Sequence, residues 1–196
     1  MVSDPKQLRR GAVQRKYRAV SQSPENQFPY PVGRSSALYL GYPPGVLATI
    51  PAAAVDRFVG VGNPFLVHEP KRGDRVLDLG CGSGLDVFVA ATLVGSQGSA
   101  VGVDLTTEML ARPGQCSTGH GSIQFLVADI ERLPFADAAF DLILSNGVLN
   151  LVPDKDRAFR EMRRVLRPGG ILAAADLIVV DAIPAEVLED INAWST

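Results

Sequence analysis

The segment Asp78-Leu79-Gly80-Cys81-Gly82-Ser83-Gly84 limits the fold more than any other stretch of the chain. It follows a short apolar run, 75–79 (RVLDL), and leads into residues 85–94, which read as a helix. Glycines there permit a tight turn and let a ligand approach bare backbone. The helix start then offers unpaired amides to an anionic group. Strand, glycine turn and helix in that order open a parallel α/β sheet, where ligands sit beyond the carboxyl ends of the strands.

The residues downstream repeat the alternation. Strands are expected at 75–79, 100–104, 123–128, 139–145 and 171–180, all short apolar runs bounded by Gly, Pro or Asp, as buried parallel strands are. The clearest helix is 154–166, with Asp154 as its N-cap and Ala158, Phe159, Met162, Val165 and Leu166 on one face. Arg167-Pro168-Gly169-Gly170 is expected to end it and turn into the fifth strand. Arg160, Arg163, Arg164 and Arg167 read as a solvated face. The fold class is therefore α/β, a doubly wound, mostly parallel sheet.

Upstream the texture differs. Residues 5–20 read as a short basic helix, an arm. Residues 21–70 hold Pro24, Pro29, Pro31, Pro43, Pro44, Pro51, Pro64 and Pro70, so neither regular sheet nor one long helix fits. Short helical turns near 45–50 and 51–59 are expected, and the zone reads as a cap. The division is an N-terminal arm and cap, 1–73, and a ligand-binding domain, 74–196.

The ligand is narrowed by spacing. A dinucleotide turn needs a small residue three places after its second glycine. Leu85 stands there, and the glycines run G-x-G-x-G instead. The Gly-Lys-Ser/Thr of a phosphate-binding loop is missing too. Asp104, twenty residues after Gly84, ends the second strand, where a carboxylate can accept from both hydroxyls of a ribose. Asp129 ends the third, within reach of an adenine amino group, and Leu105, Met109 and Ile130 could sandwich the ring. A capping role explains Asp104 alone, and chance explains Asp129 alone. All three features on successive strand tips are harder to assign to coincidence.

Composition excludes other classes. There are 19 basic and 21 acidic side chains, with net charge −2, and no clustered basic surface to capture nucleic acid. No window approaches the roughly 20 apolar residues that span a bilayer, and no secretory signal is seen in the polar residues 1–22. Cys81 and Cys116 form neither a metal-ligand spacing nor a disulfide scaffold, so a reducing cytoplasm is expected.

These motifs resemble those of the class I S-adenosylmethionine-dependent methyltransferases. VLDLGCGSG (76–84), VGVDLT (101–106), FLVADIERLPF (125–135), FDLILSNGVLNLVPDK (140–155) and FREMRRVLRPGGIL (159–172) follow the family's order and cover about half the chain. The resemblance implies S-adenosylmethionine as cofactor, with S-adenosylhomocysteine as product. It implies Asp78, Gly80 and Gly82 at the methionine end, with Cys81 and Gly84 in the same loop. Asp104 would hold the ribose, and Asp129 and Ile130 the adenine. The arsenite methyltransferase branch is more similar still. SNGVLNLVPDK resembles its S-N-C-V-I-N-L-x-P-D-K, GYPPGVLATIP with GVGNP resembles its upstream segment, and VQRKYRAV resembles a segment whose tyrosine, here Tyr17, contacts the cofactor. Two positions matching that branch's cysteines are Val61 and Gly147. Trivalent arsenic needs soft thiolate ligands, so the resemblance implies a different small-molecule acceptor.

Methyl transfer from a sulfonium is an in-line displacement that positioning alone can speed. Ser145-Asn146-Gly147 should face the methyl group, with Asn146 and Asn150 as acceptor-orienting groups and no identifiable base. His68 and His120 are expected to have surface or structural roles, not catalytic ones. After the fifth strand only IPAEVLEDINAWST remains, read as one amphipathic helix, so the sheet is expected to be incomplete and its apolar edge to need cover from the cap or from a second copy in a homodimer. A non-catalytic module that binds S-adenosylmethionine or S-adenosylhomocysteine, or a truncated relative, is the alternative.

Overall fold

Five short apolar runs become the strands of one parallel sheet in the computed structural model, which describes residues 4–24, 27–116, 122–178 and 180. They are β1 (Arg75–Leu79), β2 (Ser99–Asp104), β3 (Ile123–Val127), β4 (Phe140–Asn146) and β5 (Leu166–Ala175), in the order β3-β2-β1-β4-β5. The chain steps outward from β1 to β3, then returns across β1 to β4. That reversal opens a crevice at the carboxyl ends of β1 and β4.

Each face of the sheet has its own core. On one, α5 (Leu85–Val94) is buried almost all round, consistent with its nearly unbroken apolar sequence. It shares that core with the cap, through Tyr42, Leu47, Val55 and Phe58. On the other, α7 (Lys155–Val165) packs Ala158, Met162 and Val165 over Leu77, Leu79 and Ile143. Each such side chain contributes about 1.5–3 kcal/mol by leaving water, so the cap is bound to the sheet by shared burial. Asp154 caps α7 as expected, accepting from the Arg157 amide. Phe159, expected on the buried face, is 46% exposed.

The fifth strand differs from expectation. It begins at Leu166, directly after α7, and the Arg-Pro-Gly-Gly segment lies within it. The register jumps from Phe140↔Leu166 to Leu142↔Ile171, so extra residues of β5 oppose β4 in a bulge. The proline and glycines that resemble a turn serve that bulge. Cys116 ends a helix, α6 (Thr107–Cys116).

The arm is α1 (Pro5–Gln22), capped by Asp4. The cap holds α2 (Gly33–Tyr39), α3 (Pro44–Leu47), α4 (Ala52–Val55) and a 3-10 turn at Pro64–Leu66. The expected turns near 45–50 and 51–59 correspond to α3 and α4, each shorter than the pattern suggested, and α2 was not foreseen. No described helix is long and apolar enough to cross a membrane. His120 and the segment 183–196 lie outside the described residues.

Candidate functional site

The turn after β1 requires glycine for two separate reasons. Gly80 has φ +64°, and a Cβ there would meet Val148 at 2.6 Å, so the backbone faces the crevice bare. Gly84 has φ +84°, and a Cβ would meet Phe125 and Pro113 at 2.9 Å. Gly84 thus lets α5 start close against β3 and α6, away from the main cleft. Cys81 donates its amide to the Val103 carbonyl at 2.9 Å. Its buried thiol is pushed well up by desolvation, then by Asp104 and Asp78, which keeps it protonated. It is a packing group.

Three carboxylates lie buried around this turn: Asp78 at 3%, Asp86 at 5% and Asp104 at 8% exposure. Burial raises Asp78 well above the usual carboxylate range, and Asp86 and Asp104 raise it further. Burial lifts Asp86 to about 6, opposed by hydrogen bonds from Tyr42 and Asn146. Burial also raises Asp104, opposed by hydrogen bonds centred on Thr106 and Gly82. Its oxygens accept from the Gly82 amide at 3.0 Å and the Thr106 amide at 2.8 Å. Every shift is upward, with burial the largest cause of each and no cation among the causes.

Beyond these tips lies a cleft open on one side, whose outline takes in about 770 Å³ with the open solvent included. Tyr17, Gly80, Gly82, Asp104, Leu105, Asp129, Ile130 and Asn146 all line it. Asp78 and Cys81 line a smaller recess beside it. Met109 is buried under Gly82, where its Cε lies 3.3 Å from the place of a Gly82 Cβ, and it lines neither of these spaces. His68 is half-buried and away from the cleft.

The roof of the cleft is α1. Arg10, Val13 and Tyr17, spaced three and four apart, form one helical face turned into it. The Arg10 guanidinium reaches Asp129 at 3.0 Å and Glu131 at 2.8 Å. Lys6 pairs with Asp154 at 2.6 Å and Arg18 with Glu108 at 2.6 Å. Burial pushes the Tyr17 hydroxyl up, beyond any physiological range, so it stays a neutral phenol.

Asn146 is occupied by the protein itself. Its Oδ1 accepts from the Val61 amide at 2.9 Å and the Gly62 amide at 3.1 Å. Its Nδ2 donates to the Gly62 carbonyl at 2.9 Å and to Asp86 at 3.1 Å. The Tyr42 hydroxyl donates to the same Asp86. The carboxamide therefore fastens the cap loop to the tip of β4 and has little left for an acceptor. Val61 is thereby laid against Gly147, where a Cβ would meet both its methyls at 3.3 Å.

Sequence reasoning missed Arg10, Asp86 and Tyr42. A lone acid inside the apolar run LDVFVAATLV was a signal for Asp86, and helical spacing from Tyr17 was a signal for Arg10.

The donor set has three distinct parts. Buried acids suit a cationic head group, Asp104 a diol, and the Leu105 and Ile130 faces with Asp129 an aromatic amine. The methyltransferase domain family matches residues 70–196. An arsenite methyltransferase of Halobacterium salinarum is 39% identical over 153 residues, 77% of this chain and 39% of that protein. Methyltransferase GfsG of Streptomyces halstedii is 38% identical over 128 residues, 63% of this chain and 46% of that protein. Among solved structures, the arsenic(III) S-adenosylmethionine methyltransferase of Chlamydomonas reinhardtii superposes with a TM-score of 0.67 at 40% identity, covering 75% of this chain and 53% of that one. The chain thus spans less than half the length of these two curated relatives.

Proposed function

The chain belongs to the methyltransferase domain family, and from that premise we propose that it transfers a methyl group from S-adenosylmethionine to a small, largely apolar acceptor. The observation that carries the reading is the group of three buried carboxylates whose shifts no cation offsets. Burying a charge is costly unless something compensates it, and a ligand bearing an ammonium and a sulfonium would do so.

When bound, S-adenosylmethionine supplies a methyl group already attached to a good leaving group. The chain's own contribution is placement. Gly80 and Gly82 present bare backbone, Asp104 takes the ribose hydroxyls, and Asp129 takes the adenine amine. Tyr17 and Val13 close the roof and exclude water. The acceptor end is formed by Val59, Gly147, Val148 and Leu151, all without charge. Alignment there can supply up to roughly 7–11 kcal/mol of a displacement barrier in ideal cases, so a base is required only if the acceptor must lose a proton early.

Val61 and Gly147 offer no thiolate where the arsenite branch has cysteines, which argues for an acceptor other than trivalent arsenic. Two cysteines outside any disulfide suit a reducing cytoplasm. A homodimer formed along the β5 edge belongs to this reading as well, and a monomeric mass by light scattering at micromolar concentration would remove it.

The test is calorimetric titration with S-adenosylhomocysteine beside an Asp104→Ala variant. Micromolar binding, about −8 kcal/mol, with a loss of roughly 100-fold in the variant is expected. Binding without turnover across an acceptor screen would leave a binding module. No binding by folded protein would end the proposal.

A further inference from the structure

Asp129 does not stand free at its strand tip. Its Oδ1 accepts the Glu131 amide at 2.9 Å, closing a tight turn. Its Oδ2 meets Arg10, reaching down from α1, at 3.0 Å. The same guanidinium nitrogen meets Glu131 at 2.8 Å. Glu131 is itself fixed, since it is 5% exposed and its Oε1 accepts from the Asp154 amide at 3.1 Å. Arg10 is therefore wedged between one rigid buried acid and one acid at the cleft wall. It is also part of a row: Lys6, Arg10, Gln14 and Arg18, four residues apart, bond in turn to Asp154, to Asp129 and Glu131, to the Leu105 carbonyl, and to Glu108. Those acceptors lie on the loops that follow β4, β3 and β2 and on the first turn of α6.

We propose that Arg10 is a positioning residue that sets the Asp129 carboxylate for the exocyclic amine of an adenine and so ties recognition of the base to the seating of α1. The inference rests on the cofactor reading above. A carboxylate held at both oxygens cannot rotate, and Oδ2 keeps a second lone pair for a donor in the cleft. A purine with a carbonyl in place of the amine presents an acceptor to that carboxylate and is rejected. Without Arg10 the carboxylate turns toward solvent, and the distinction between the two bases weakens.

The experiment is calorimetry with S-adenosylhomocysteine and with S-inosylhomocysteine, on wild-type, Arg10→Gln and Arg10→Lys proteins. One charge-assisted hydrogen bond is worth on the order of tenfold in affinity. Wild-type protein should prefer the adenine compound by about that factor, Arg10→Gln should bring the ratio near one, and Arg10→Lys should restore part of it. Equal weakening of both compounds in Arg10→Gln would reduce Arg10 to a roof contact and overturn the proposal, as would a wild-type protein that does not distinguish them. A wild-type protein that binds neither overturns the cofactor reading and this inference with it. If Arg10→Gln fails to fold, amide exchange in wild-type α1 decides. Saturating S-adenosylhomocysteine should slow exchange over residues 5–22 more than saturating S-inosylhomocysteine does, and equal protection would overturn the coupling.

Discussion

The floor of the site, which spans the cleft and the recess beside it, and the rim treat acidic side chains in opposite ways. On the floor, Asp78, Asp86 and Asp104 are buried, and their shifts are upward. On the rim, Asp154 and Glu108 are paired to Lys6 and Arg18 of α1, and both are held below the usual carboxylate range, Asp154 first by its bond from Lys6 and Glu108 first by its own backbone amide. The rim acids assemble the protein. The floor acids are buried with no cation among the causes of their shifts, which costs stability whenever they are charged.

The sharpest way to break this contrast is Asp78→Asn. It keeps the shape and removes the buried carboxyl that desolvation, Asp86 and Asp104 all raise. Affinity for S-adenosylhomocysteine should fall about tenfold, one charge-assisted bond. Thermal stability at pH 7.5 should rise by roughly 2–4 °C, the shift expected for about 1 kcal/mol in a chain of this size. A fall in both would mean that Asp78 belongs with the structural acids.

The next effect is on pH. Asp86 is raised from 3.8 to about 6 in the folded state. A carboxyl raised on folding contributes stability below its unfolded value and loses that contribution as pH climbs through its folded value. Unfolding in denaturant should therefore show a contribution that declines between pH 4 and about 6.5 and is absent from Asp86→Asn. Affinity for a cationic ligand should move the other way, rising over the same window as the floor charges. The smallest effects belong to the rim. Lys6→Ala and Arg18→Ala should each change affinity less than about threefold, and the change should fade in molar salt, because exposed pairs are weak and screened. A tenfold loss from either would erase the distinction between floor and rim.

The floor was more legible in the sequence than the rim. Gly80, Asp104 and Asp129 announce themselves because each sits at the end of an apolar run, and a strand tip is a fixed place. β1 was expected at the bounds it has, and β2, β3 and β4 within a residue of theirs. The fifth strand was misplaced because Pro168 and Gly169 are turn residues in most settings, and only the register against Phe140 and Leu142 shows that they form a bulge. Asn146 was read as facing an acceptor, since nothing local reveals that a loop 84 residues earlier would fill its hydrogen bonds. The rim was hidden for the same reason. Arg10 and Glu131 are far apart in the chain, and basic residues on an exposed helix usually mean only solubility.

The bonds of Asn146 also bear on traffic. Two pieces of chain cover the cleft, and they are fastened by different means. The cap loop is stitched by a neutral carboxamide and backbone amides, which salt does not loosen. The helix α1 is latched by ion pairs, which salt does. If the proposed transfer holds, spent cofactor would leave under α1, and lifting that helix would pace turnover, as opening of a cover does in many enzymes. Salt would then raise kcat while it lowers affinity, trading dwell time for throughput.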